Sequence, residues 1–298
     1  ELVNSQSPNE MIFIDFSLPP SEQLDTSVST NTFLRVIPKV GTTNSLEVHQ
    51  ILLKSLYYSY NDDDVITTPI RRVEIYCFDD QNAQSSLAQV LITVQAVNDP
   101  PQIDLNGPTA SGLNFQTTFV EASGPVFVSS NVDATLSDPD SPQITSCTVR
   151  LSNNPDGTNE ALSLEVSSSA FLTPNTNIAS SYDAVSATLT LQGIDSRSAF
   201  QSLLRLVQYN NILANPTITP SQNAIRTILF NCVDDQSLTS APADVRSVIS
   251  IIPVNDALVL DINGPDGSGN GFTATFVEDT AGIAIADSDT TLSDADSS

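Results

Sequence analysis

The 298-residue sequence contains no tryptophan, one histidine, one methionine and three cysteines. Lysine occurs only at Lys39 and Lys54. Each shortage closes off chemistry. With His49 as the only imidazole, Ser-His-Asp and Cys-His nucleophile systems have almost nothing to build on. A zinc site is not expected, because there is no CxxC and no second histidine. No glycine-rich phosphate loop occurs. No apolar run approaches the ~18–20 residues of a membrane span. Asn215-Pro216-Thr217 is blocked as a glycosylation sequon by its proline, so any glycans are expected to be O-linked. Glu1-Leu2-Val3-Asn4 has neither the charged nor the apolar region of a signal peptide. Such a leader has either been removed, or the chain is an internal piece.

What is present is acid. There are 35 acidic against 10 basic residues, a formal net charge of −25. Such a surface repels nucleic acid and anionic lipid and attracts cations. The hydrophobic share of 40% is enough for packed cores.

The dominant feature is an internal repeat. "VNDPPQIDLNGP" begins at Val97 and "VNDALVLDINGP" at Val254, an offset of 254 − 97 = 157. "FQTTFVEASG" matches "FTATFVEDTAG", so Glu121 pairs with Glu278. "ATLSDPDS" matches "TTLSDADS", "YCFDDQ" matches "NCVDDQ", and "HQILLKSLYY" matches "FQSLLRLVQY". Five blocks in the same order divide the chain into three parts. Residues 98–254 form a complete unit, 1–97 a unit lacking its first strands, and 255–298 the first strands of a further unit.

Within the complete unit, alternation predicts strands over 115–120, 125–130, 144–152, 161–167, 187–193, 226–233 and 245–254. Residues 196–209 differ: Ala199, Phe200, Leu203, Leu204 and Val207 recur at helical spacing, with Asp195 or Ser196 as the cap. The expected fold is all-β: tandem Ig-like Greek-key β-sandwiches, antiparallel, with one short helix per repeat.

Cys77 and Cys232 occupy the same repeat position, whereas Cys147 lies on an early strand. In an Ig-like sandwich an early and a late strand can face each other across the core. That predicts a Cys147–Cys232 disulfide, with buried free thiols as the other reading.

The pattern resembles a cadherin-like tandem repeat, a resemblance that covers most of the chain. Its marks are Val120-Glu121 and Val277-Glu278, the D-x-D pairs Asp138/Asp140 and Asp294/Asp296, and the late Asp79/Asp80 and Asp234/Asp235. The linkers Asn98/Asp99 and Asn255/Asp256 complete it. The resemblance implies calcium between successive units. Glu121, Asn255, Asp256, Asp294 and Asp296 would serve one junction, and Asn98, Asp99, Asp138 and Asp140 the other. Converging carboxylates repel one another unless a hard cation bridges them. Ala96 and Pro253 stand where cadherin linkers carry an Asp, and the Asp-Arg-Glu motif is missing. Turn-forming Asp residues and strand-end caps are the competing reading.

The expected function is therefore structural, not catalytic: a repeat of an extracellular filament, matrix or adhesin. Segment 255–298 is expected to pair with the open first unit of a neighbouring copy, head-to-tail. The alternative is a calcium-dependent adhesion or receptor ectodomain. A carbohydrate-binding accessory is a weaker third class, since tryptophan sugar platforms are lacking.

Overall fold

The computed structural model describes residues 1–15, 24–29, 32–38, 45–165, 177–216, 224–265 and 267–296. Two compact units divide after Asp99: Glu1–Asp99 and Pro100–Ser298.

The first unit contains β1 (Leu2–Val3), β2 (Glu10–Ile14), β3 (Leu24–Ser29), β4 (Leu34–Pro38), α1 (Leu46–Lys54), β5 (Leu56–Tyr60), β6 (Arg71–Ile75) and β7 (Ala88–Ile92). They form a three-stranded sheet β1-β6-β7 and the pairs β2-β5 and β3-β4. The Ser45 hydroxyl caps α1 by accepting from the Val48 N–H. No residue of α1 is fully buried.

The second unit contains β8 (Gln102–Asp104), β9 (Phe115–Val120), β10 (Val126–Phe127), β11 (Thr135–Ser137), β12 (Gln143–Leu151), β13 (Glu160–Leu164), β14 (Ala179–Asp183) and β15 (Thr188–Ser196). It continues with α2 (Arg197–Leu204), β16 (Val207–Asn211), β17 (Ile225–Asp234), β18 (Arg246–Ile252), β19 (Val259–Asp261) and β20 (Thr291–Ser293). A six-stranded sheet β14-β15-β12-β17-β18-β9 packs on a three-stranded sheet β10-β16-β13. Val149, Leu191, Phe230 and Ile249 meet Leu162, Val207 and Tyr209 in one core, and Phe200, Leu203 and Leu204 of α2 close one end of it. The fold is all-β, with one short α-helix in each unit among the described residues.

Two expectations need correction. The helix stops at Leu204 instead of running to residue 209. Val207, Tyr209 and Asn211 are buried on alternating positions of β16, whose pairing with β13 claims them for a sheet. Val207 fits both periods, and the ladder wins. The sheet is also not wholly antiparallel. β9 runs parallel to β18, with Phe115 opposite Ser247 and Val120 opposite Ile252. The expected strand 125–130 is reduced to β10, and residues 166–167 of the expected strand 161–167 lie outside the described residues.

The repeat is structural as well as sequential. Glu10 opposes Tyr60 and Ile12 opposes Tyr58, as Glu160 opposes Asn211 and Leu162 opposes Tyr209. Arg71 opposes Ile92 as Arg226 opposes Ile249. Leu2 opposes Val73 as Leu151 opposes Ile228, so β1 is equivalent to the last residues of β12. β19 and β20 pair as β8 and β11 do. Gly107 and Gly264 hold φ values of +85° and +74°, where a Cβ would strike Asp133 or Asp289. Only glycine fits that turn without strain.

Candidate functional site: an open sheet edge and the junction carboxylates

The repeat leaves one edge unfinished. In the second unit β18 is flanked on both sides, by β17 and β9. In the first unit its equivalent, β7, pairs with β6 alone among the described residues. The consequence is visible in exposure. Ser247 and Ile249 of β18 are fully buried, whereas their equivalents in β7, Val90 and Ile92, are 48% exposed and half-buried respectively.

The segment that would finish such an edge also recurs. Phe115–Val120 reads FQTTFV and residues 272–277 read FTATFV. Phe119 is fully buried in β9, its ring edge-on to Tyr209 with centroids 5.3 Å apart. Its equivalent, Phe276, is 58% exposed, and residues 271–277 form no strand pairing among the described residues. A β-forming segment with exposed apolar side chains is the kind of segment that an open sheet edge can recruit.

The cysteines form the expected bond, Cys147–Cys232, closing 85 residues of sequence separation. Its placement differs from the expectation. β12 and β17 are neighbours in one sheet, and the two cysteines sit directly opposite with Cα atoms 4.1 Å apart. The Cys232 N–H donates to Ser240 Oγ and its carbonyl accepts from the Ser240 N–H. The backbone of Cys232 therefore turns away from β12, and the pair occupies a close, non-hydrogen-bonded position. Cys77 repeats this with Ser85 but is a free, exposed thiol.

A buried charge cluster went unrecognised in the sequence. Arg226 is fully buried; its Nε donates to Glu160 Oε1 at 2.8 Å and its Nη2 to Asp156 Oδ2 at 2.9 Å. Asn211 Nδ2 also donates to Asp156 Oδ2. The first unit repeats the design, with buried Arg71 donating to Glu10 at 2.8 Å and lying over the Tyr60 ring. Two carboxylates around one guanidinium leave an excess negative charge. Burial pushes the Glu160 carboxyl up to about 7, against the lowering influence of Arg226. The available signal was Asn-Glu at 9–10 and 159–160, with an arginine six residues before each late cysteine.

The predicted calcium ligands separate into two groups. Asn98 and Asp99 end the first unit, and Asp138 and Asp140 lie in the second. Asp138 is buried; its Oδ1 accepts from the N–H groups of Asp140 and Ser141, while Oδ2 makes no hydrogen bond. Burial raises the pKa of this carboxyl, backbone donation from Ser141 opposes that, and Asp140 adds to the rise. Glu121, also buried, accepts at Oε2 from the Val254 N–H at 2.8 Å. Asp296 accepts from the Asp256 N–H, and Asp294 accepts from the Asp296 N–H. Asn255 Nδ2 donates to the Asp256 carbonyl, and Asp256 Oδ2 is buried without a hydrogen bond. The structure thus ties Asp256 to Asp296 and Glu121 to the start of the linker. Among the described residues no group of three or more acidic, histidine or cysteine side chains is close enough to hold a metal ion.

The first member of each late acidic pair is a turn former. Asp79 Oδ1 accepts from Gln81 and Ala83, and Asp234 Oδ1 from Gln236 and Leu238. Asp62 accepts from Ser7 and Asn9, and these hydrogen bonds hold its carboxyl below the usual range. His49 is half-buried on α1, its Nδ1 3.1 Å from the Ser45 carbonyl, where α2 has fully buried Phe200. No helix among the described residues is long and apolar enough to cross a membrane.

No family model matches the chain. No curated protein matches it either. Solved structures share β-sandwich character with it at low identity. A Clostridium thermocellum type I cohesin–dockerin complex matches at 12% identity over 52% of this chain and 100% of that chain, with a TM-score of 0.27. The sialic acid binding region of a Streptococcus sanguinis SK1 adhesin matches at 17% identity over 59% of this chain and 36% of its own, at 0.26. Drosophila N-cadherin EC1-4 matches at 14% identity over 87% of this chain and 46% of its own, at 0.29. With all three scores under 0.5, neither family nor function is read from these likenesses.

Proposed function

We propose that the protein is a non-catalytic structural repeat of an extracellular filament, matrix or adhesin, cadherin-like in organisation. Copies assemble head-to-tail through residues 255–298 of one and the first unit of the next. What supports this is the presence in one chain of an open edge, β7, and of an exposed copy, without strand pairing among the described residues, of the strand that covers the equivalent edge in β18. The disulfide supports an oxidising, extracellular setting. The net charge of −25 disfavours nucleic acid as a partner. Sedimentation and electron microscopy of the purified chain test the reading. The expected result is a concentration-dependent series of linear oligomers; a monomer at every concentration overturns it.

A calcium-dependent adhesion role is a second reading, supported by the buried, unbonded Oδ2 atoms of Asp138 and Asp256. Glu121, Asn255, Asp256, Asp294 and Asp296 would then close on the ion. Thermal melting in millimolar calcium against chelator is the test, since a ligand held by the native state raises the midpoint. An unchanged midpoint removes calcium from the account.

A further inference from the structure

We infer that the head-to-tail joint is a parallel strand addition in one fixed register, with Phe276 of one copy as its anchor in the first unit of the next. This inference rests on the assembly proposed above and specifies its geometry. The chain contains its own template. β9 joins β18 in parallel through six opposed pairs, from Phe115 opposite Ser247 to Val120 opposite Ile252.

Both strands of that template recur elsewhere in the chain. On the acceptor side, Ile249 opposes Arg226 and Ile92 opposes Arg71, so β18 and β7 correspond at 249 − 92 = 157. On the donor side, Phe115 corresponds to Phe272 at the same offset, 272 − 115 = 157. Transferring the template sets Thr273 opposite Leu91, Thr275 opposite Thr93 and Phe276 opposite Val94.

The side chains suit these positions. Gln116 and Thr118 of β9 face outward, and their equivalents Thr273 and Thr275 are likewise polar and exposed. Phe119 faces inward, edge-on to Tyr209. Tyr58 holds the position of Tyr209 in β5, only half-buried. Both tyrosine hydroxyls are buried without a hydrogen bond, so the two sites share that detail. Phe276 of a neighbouring copy would cover Tyr58 as Phe119 covers Tyr209. The exposed Leu91 would acquire a backbone neighbour, and the N–H and C=O groups on the edge of β7 that has no strand beside it among the described residues would acquire partners.

Cysteine cross-linking between separately labelled copies tests the register. The full chain carries Cys77→Ser throughout, so that the native free thiol takes no part. One population carries Leu91→Cys or Thr93→Cys, and the other Thr273→Cys or Thr275→Cys. The two are mixed, oxidised and run without reductant. Dimers are expected for Leu91→Cys with Thr273→Cys and for Thr93→Cys with Thr275→Cys, several-fold above the crossed combinations. Dominant crossed combinations would mean antiparallel entry or a two-residue slip and overturn the inference while leaving the assembly reading intact. Linear oligomers without cross-links in any combination also overturn it. A strictly monomeric chain with no cross-links overturns the assembly reading itself. As a second measurement, Phe276→Asp should abolish the oligomers and Phe276→Leu should retain them. Because Phe276 is exposed, neither change should move the melting temperature of the dilute chain.

Discussion

Arg226 Nε lies 2.8 Å from Glu160 Oε1, and both side chains are wholly removed from solvent. An ion pair in that position is expensive to break, because the surviving partner stays buried without its counter-charge. Arg226→Ala is expected to destabilise the second unit by about 3–5 kcal/mol. Chemical denaturation followed by circular dichroism reads this directly. A loss below about 1 kcal/mol, the range of an exposed pair, would mean that the cluster is hydrated in solution.

The same cluster sets a pH dependence. The folded Glu160 carboxyl sits at about 7, above its ordinary value of 4.5, because burial opposes its charge. The native state therefore holds a proton that the unfolded chain has released between those two values. The contribution is fully present below the unfolded value and is lost as pH rises through about 7, with an amplitude on the order of 3 kcal/mol. Denaturation midpoints should be higher at pH 5.5 than at pH 8, and Glu160→Gln should flatten that difference. A wild-type midpoint that rises with pH across this window contradicts the assignment.

The disulfide and the free thiol make opposite predictions. Replacing Cys147 and Cys232 together by serine should cost roughly 4 kcal/mol, the loop-closure entropy of a link this long. Cys77→Ser, at an exposed site, should change stability by no more than about 0.5 kcal/mol. Reducing agent should lower the melting temperature of wild type and leave that of the double variant unmoved.

Phe119 and Phe276 are one repeat position in two circumstances, a contrast that can be measured within one chain. Phe119→Ala removes a fully buried ring and should cost about 3–5 kcal/mol. Phe276→Ala should cost less than about 0.5 kcal/mol in dilute solution, where its ring is exposed. Equal losses at the two sites would show that residues 272–277 are already covered within the monomer.

The strands were legible because their burial alternates, as Cys147, Val149 and Leu151 do along β12. The helix boundary was not, because Val207 satisfies the helical spacing from Leu203 and Leu204 as well as the strand alternation with Tyr209. The choice between them is made by β13, a partner more than forty residues upstream (207 − 164 = 43). The disulfide pairing could be read from strand order, but adjacency within one sheet depends on the hydrogen-bond ladder. The Arg226 cluster was invisible to periodicity, since its members are 66 and 70 residues apart, and only the recurrence of Asn-Glu and of the arginine in both units marks it. The acidic motifs were visible as residues but not as roles: Asp79 and Asp234 mark the resemblance in sequence and act as turn acceptors in space.

The parallel clasp between β9 and β18 joins residues 247 − 115 = 132 positions apart. A contact that remote is formed late, after the intervening strands have found one another, because the chain must first close a long loop. Until it closes, the bare edge of β18 is open to any strand of matching sequence, and 272–277 is such a strand. Under the assembly proposed above, β9 and residues 272–277 of a sister copy would compete for that edge.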